Sequence, residues 1–143
     1  KWTSLPAEMA NFPNLRGLNL EKNKLDSLPE YFKTLKLTHL YLGRNQFTYF
    51  PHQVFHISTL ETLAIEKNKI TSLPMGIKAL SSLKCLDIWG NRITTFPKEL
   101  IELQQLQYLD ARGAMYPSAF ISKWQENLPN TKIHFDPPCS CLD

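Results

Sequence analysis

Cysteine is scarce in this 143-residue chain: Cys85 stands alone, and Cys139 and Cys141 sit near the C-terminus. Three cysteines so unevenly placed do not form a disulfide framework, which excludes a small stapled domain. Secretion is not thereby excluded, because a well-packed core needs no staples. Long apolar runs are also missing. None approaches the roughly 20 residues of a membrane helix, and Lys1-Trp2-Thr3-Ser4-Leu5-Pro6 is not a signal peptide, so the chain as given reads as soluble. Neither sign of charge dominates, with 16 basic and 13 acidic residues and a net charge of +3. No clustered basic stripe with interleaved aromatics is visible along the chain, so neither nucleic acid nor an anionic membrane is the expected partner. Catalytic signatures are lacking too: there is no serine triad, no phosphate-cradling glycine loop and no H-E-x-x-H.

What is present is periodicity. The stretch from Leu83 to Pro97 reads L-x-x-L-x-I-x-x-N-x-I-x-x-F-P, a period-2 run closed by an asparagine and followed six residues later by a proline. The frame recurs. Asn23, Asn45, Asn68 and Asn91 are separated by 22, 23 and 23 residues, and Pro6, Pro29, Pro51, Pro74 and Pro97 by 23, 22, 23 and 23. Both columns carry the same one-residue slip, located at Thr34-Leu35-Lys36-Leu37 where Ala79-Leu80-Ser81-Ser82-Leu83 has one residue more. An apolar fraction of 43% supplies one continuous core. A single unit cannot bury its leucines, but stacked units can. Each asparagine, turned inward where the chain bends, both donates to and accepts from backbone groups otherwise buried without partners. Each proline is expected at the first helical position of a short segment, α or 3₁₀, over 30–35, 52–57, 75–80 and 98–103.

The four matches, Leu15-Leu18-Leu20-Asn23-Leu25, Leu37-Leu40-Leu42-Asn45-Phe47, Leu60-Leu63-Ile65-Asn68-Ile70 and Leu83-Leu86-Ile88-Asn91-Ile93, resemble the leucine-rich repeat family. The resemblance implies an α/β, right-handed horseshoe solenoid with a parallel concave sheet and short convex helical turns. Strands are expected near 17–20, 39–42, 62–65, 85–88 and 108–111, within a repeat region over 1–114. The chain starts just past an asparagine position with no polar cap, which suggests a fragment, a processed product or an upstream part that could carry a signal peptide. At the other end Ala114 replaces the asparagine, and Pro117 opens an amphipathic helix with Phe120, Ile121, Trp124 and Leu128 on one face. Leu128-Pro129-Asn130-Thr131 then turns into a strand over 132–135. This helix-plus-strand cap over 115–135 looks like that of bacterial leucine-rich repeat proteins, and 136–143 is expected to be a mobile tail.

The 23-residue L-P-x-x unit resembles two groups: leptospiral-type surface or secreted proteins of bacteria, and intracellular eukaryotic scaffolds that bind Ras-type GTPases. The cap favours the first. The implied function is non-catalytic protein–protein recognition by the concave face of a monomer, without cofactor, at a bacterial surface or after secretion, with a host protein as partner. The alternatives are an intracellular scaffold for a signalling GTPase or kinase, or the targeting domain of a larger enzyme.

Strand residues alternating with the buried ones face the concavity. The columns are Gly17, His39, Thr62, Cys85, Tyr108; then Asn19, Tyr41, Ala64, Asp87, Asp110; then Glu21, Gly43, Glu66, Trp89, Arg112; then Lys22, Arg44, Lys67, Gly90, Gly113. An outward tryptophan has no core to explain it, and Trp, Tyr and Arg are enriched at binding hot spots. The expected partner-binding set is His39, Tyr41, Glu66, Asp87, Trp89, Tyr108, Asp110 and Arg112. The competing reading has Trp89 merely packing on Arg112 and its own loop. Asp87 and Asp110, on adjacent strands, could raise one pKa or bind a cation; the favoured reading keeps both solvated and balanced by Lys84 or Arg112. Cys85 and His39 lie two strands apart, too far for a nucleophile and its base. His134, Cys139 and Cys141 have poor zinc spacing and lack a fourth ligand, so no metal site is expected.

Overall fold

The computed structural model describes residues 1–138. Six three-residue strands, β1 (Gly17–Asn19), β2 (His39–Tyr41), β3 (Thr62–Ala64), β4 (Cys85–Asp87), β5 (Tyr108–Asp110) and β6 (Lys132–His134), pair in chain order as one parallel sheet. Each connection is a convex turn, so the chain is a right-handed solenoid. Five strands come from the repeats, and the strand of the C-terminal cap adds a sixth rung by pairing Leu109 with Ile133.

Stacking buries every inward column. Leu40, Leu63, Leu86 and Leu109 line one column and Leu25, Phe47, Ile70 and Ile93 another, each at most 1% exposed. Burying each such side chain stabilises the fold by about 1.5–3 kcal/mol, which no isolated rung could obtain. On the convex side the five short segments, Ala7–Asn11, Glu30–Thr34, His52–His56, Met75–Ala79 and Lys98–Glu102, are 3₁₀ turns. Their prolines stand one position earlier than the sequence suggested. Pro29, Pro51, Pro74 and Pro97 are extended N-cap residues whose carbonyls accept the first turn's N–H, as from Phe32 to Pro29 at 3.0 Å. A proline there fixes φ and gives up an N–H the helix would not have used.

The one-residue slip is absorbed at Leu35. Ile57, Leu80 and Leu103 end their turns with ψ of 71°, 58° and 72° and accept a further bond from the residue three ahead. Leu35 instead is extended, with ψ 147°. Straightening one residue spans the distance that its neighbours cover with an extra bend, so β1 and β2 keep the register of all later rungs.

The asparagines form the expected ladder. Asn68 Oδ1 accepts the Phe47 N–H (3.0 Å) from the preceding rung, while its Nδ2 donates to Leu42 and Ile65 carbonyls (3.1 and 3.0 Å). Asn45 and Asn91 repeat this with Leu25 and Ile70. The residue before each ladder position is left-handed: Lys22, Arg44 and Lys67 at φ 58°, 57° and 52°, then Gly90 and Gly113. Gly113 has no alternative, because a Cβ would lie 2.7 Å from the Gly90 backbone.

Where the ladder ends, aromatics close the core. The helix α1 (Ser118–Asn127) buries Trp124 and packs Phe120 onto Phe96 and Tyr116, with Phe135 completing the cluster. The Tyr116 hydroxyl donates to the Ile93 carbonyl at 2.6 Å, and burial pushes that hydroxyl's pKa up. Asp136, the first residue assigned to the tail, is tied back by the Gly113 N–H at 2.5 Å. Cys139 and Cys141, with the rest of the expected tail, lie outside the described residues.

Candidate functional site on the concave face

The register brings the outward residues into rows across the sheet. Asp87 pairs in register with Asp110, and Asp110 with His134. The strand backbones leave Trp89 and Arg112 two residues further on, where the chain begins its bend.

Arg112 and Asp110 form a fork. Arg112 Nε donates to Asp110 Oδ1 at 3.0 Å and NH2 to Oδ2 at 2.6 Å, and the Arg112 N–H adds a third bond. The Asp110 side chain is 4% exposed and that of Arg112 45%. Burial raises the Asp110 pKa, but the bonds from Arg112 outweigh it and hold the carboxyl below the usual aspartate range. Asp87 lacks such a partner. Burial, with Asp110 adding, pushes it up, although Oδ1 accepts the Trp89 N–H at 2.9 Å. Two neighbouring carboxylates are thus driven apart in acidity. Of the expectation that both are solvated and balanced, the solvated part fails for Asp110, which is buried, while Arg112 does balance it. Lys84 is not the counter-ion either, since it pairs with Glu61 at 3.0 Å.

Trp89 is half-buried and lies between two cations, with Lys67 Nζ 4.2 Å from the ring centroid and Arg112 Cζ 5.8 Å. Cations over an indole face orient it and leave part of the ring to a partner. Tyr108 is also half-buried, tilted on the His134 ring at 5.0 Å with its hydroxyl 3.5 Å from Asp110 Oδ2. Trp89, Arg112, Asp110 and Tyr108 are therefore joined by direct contacts, with Asp87 at their edge.

The remaining residues behave differently. Glu66 is an outward residue by register but is 8% exposed, because its carboxylate lies flat over Gly43, where a Cβ would sit 2.0 Å from Oε1. Its Oε2 has no hydrogen-bond partner, and burial, reinforced by Asp87 and Glu21, raises its pKa. His39 is exposed, bonded to Thr38 at 2.9 Å, and Tyr41 is half-buried. Both stand on β2, and Thr62 and Ala64 of β3 separate them from Cys85 and Asp87.

Two contributors lie outside the expected set. Lys67 stands in its column, but its seat over Trp89 depends on the left-handed turn. His134 belongs to the cap strand, and aligning Ile133 with Leu109 puts it beside Asp110. As for chemistry, Cys85 is a free thiol pushed up in pKa by burial, Asp87 and Asp110, which suppresses the thiolate a nucleophile needs. Among the described residues no three His, Cys, Asp or Glu side chains converge on a point that could hold a metal ion, and no helix is long and apolar enough to cross a membrane.

Comparison with known proteins agrees with this geometry. Two family models, both described as leucine rich repeat, match residues 14–35 and 58–113, together more than half of the chain. A probable inactive serine/threonine-protein kinase, roco10, of Dictyostelium discoideum is 37% identical over 68 residues, 44% of this chain and 3% of that protein. An internalin of Listeria monocytogenes superposes with a TM-score of 0.63 at 22% identity, over 94% of this chain and 46% of its own. A leucine-rich repeat protein of Leptospira interrogans gives 0.49 at 21%, over 94% and 52%. This chain thus spans about half of those two structures and a small segment of the curated relative. With the asparagine ladder, the parallel sheet and both matching models, the chain belongs to the leucine-rich repeat family.

Proposed function

We propose that this chain is a non-catalytic recognition module that binds a protein through the C-terminal half of its concave face. Leucine-rich repeat domains bind other proteins. The observation that carries the placement is Trp89, a half-buried indole held between Lys67 and Arg112 beside the Asp110–Arg112 fork. Pre-oriented Trp and Arg side chains lose little conformational entropy on binding, which is why they serve as anchors. His39, Tyr41 and Glu66 form the periphery of the surface, and Asp87 its edge.

Trp89→Ala weakens binding of the isolated partner by at least about 1 kcal/mol. Unchanged affinity with unaltered circular dichroism refutes the placement. Arg112→Ala is the less clean probe, because it also strips the buried Asp110 carboxylate of its fork.

Two settings have support. The helix-plus-strand cap resembles those of bacterial surface or secreted proteins, and in that setting the proposed partner is a host protein. The 37% match over 44% of this chain to a protein named as a probable inactive kinase is compatible with the alternative, an intracellular signalling scaffold or a targeting segment within a larger enzyme. The encoding gene separates them: a signal peptide or lipobox supports the first, a fused kinase or other catalytic domain the second.

A further inference from the structure

The chain's bends after each strand carry Lys22, Lys24, Arg44, Lys67, Lys69 and Arg92, on either side of the ladder asparagines and all exposed. In sequence these residues are dispersed over four repeats. Stacking aligns them, because each of their backbone N–H groups bonds the adjacent rung, as from Lys22 to Gly43 (3.0 Å), Arg44 to Glu66 (2.9 Å) and Lys67 to Trp89 (2.7 Å). The lip of the solenoid is therefore a basic ridge with a rung spacing of about 4.8 Å. A linear reading of the chain misses it.

Among the described residues no ion pair engages the ridge. The ion pairs there join Lys33 and His52 to Glu30, Lys84 to Glu61 and Arg112 to Asp110, and none uses a ridge residue. Glu66, on which the Arg44 charge acts, lies over Gly43 and forms no ion pair with Arg44. Three of the cations also occupy left-handed backbone, at φ 58°, 57° and 52°, a conformation that side-chain-bearing residues adopt at a cost of about 1 kcal/mol or more. Glycine stands at the same position in the next two rungs without that cost. Lys67 has a use on Trp89 and Arg44 a charge interaction with Glu66, while Lys22 takes part in no ion pair among the described residues.

We propose that the ridge formed by Lys22, Lys24, Arg44, Lys67, Lys69 and Arg92 docks the acidic face of an α-helix of a partner protein. Spacing selects the helix. Side chains three and four apart on a helix are about 5–6 Å apart, close to the rung spacing. Phosphates of one DNA strand advance about 3.4 Å along the duplex axis while winding around it, and alternate side chains of an extended strand stand about 6.6–6.8 Å apart. Four rungs span about 14 Å, or roughly ten helical residues. The ridge lies beside the Trp89 patch and shares Lys67 with it.

The test uses the whole chain and a helix-forming peptide with glutamates at alternating three- and four-residue spacing, read by fluorescence anisotropy. The ridge variant Lys24→Gln/Lys69→Gln/Arg92→Gln spares the left-handed positions. The variant Lys78→Gln/Lys98→Gln/Lys123→Gln removes the same charge from exposed residues outside the ridge. The expected result is about tenfold weaker binding for the ridge variant and less than about twofold for the other, with affinity falling as salt screens the contact. Equal losses in both variants, or no binding of the glutamate peptide, overturn the proposal. So does tighter, ridge-dependent binding of a short DNA duplex or of phosphatidylserine vesicles, which assigns the ridge to another class of partner. Trp89→Ala reports separately on the concave patch, so failure of one reading is distinguishable from failure of the other.

Discussion

Replacing Asn68 by alanine tests the ladder, and the bonds around it set the magnitude. Asn68 Nδ2 donates to the Leu42 and Ile65 carbonyls, yet each keeps a second amide donor when Asn68 is gone: Asn45 at 2.9 Å for Leu42 and Asn91 at 2.9 Å for Ile65. The Phe47 N–H has no such reserve. Its bond to Asn68 Oδ1 at 3.0 Å is buried, so the substitution leaves one donor without a partner. That costs about 1–3 kcal/mol. Asn91→Ala strands the Ile70 N–H in the same way and should cost as much. At the first rung Asn23 accepts from the exposed Trp2 N–H, which water can satisfy, so Asn23→Ala should cost less than about 0.5 kcal/mol. Urea unfolding of the three variants reads the gradient. Equal losses at Asn23 and Asn68, or an Asn68→Ala variant as stable as the parent, refute the reasoning.

Glu66→Gln should stabilise the protein at neutral pH by less than about 1 kcal/mol. The folded-state pKa of Glu66 is raised, chiefly by burial, so its ionisation opposes folding above that pKa; the advantage of glutamine shrinks as pH falls through it toward the ordinary glutamate value. A pH series of urea midpoints checks this, and an advantage that grows on acidification contradicts it. Gly113→Ala should destabilise by more than about 1 kcal/mol, since φ is 89° and the new Cβ meets the Gly90 backbone. At Gly43 the three atoms nearest a new Cβ all belong to the movable end of Glu66, so Gly43→Ala should fall within about 0.5 kcal/mol in the same assay.

The scaffold was legible because repetition makes it so: two independent columns, asparagine and proline, carry the same slip, and stacking is the one arrangement that buries both leucine sets. Short-range detail was less so. The prolines sit one position before the turns rather than in them, and the choice of 3₁₀ over α follows from how few residues each coil can spend on its convex side. The candidate surface was legible by column and misjudged by depth. Glu66 and Asp110 point outward in register yet are buried, one because Gly43 leaves room to lie down, the other because Arg112 folds over it. Lys67 came into contact with Trp89 through a left-handed turn that residue type alone does not announce, since lysine is an unusual occupant of that backbone. The basic ridge needed the third dimension entirely.

The most direct test of recognition by the concave face is hydroxyl-radical footprinting of the chain with and without its isolated partner, read residue by residue. The account predicts that Trp89 and Tyr108 lose reactivity in the complex while Tyr49 and Met75, exposed at 80% and 63%, keep theirs. Protection of Tyr49 and Met75 with Trp89 and Tyr108 unchanged would contradict it.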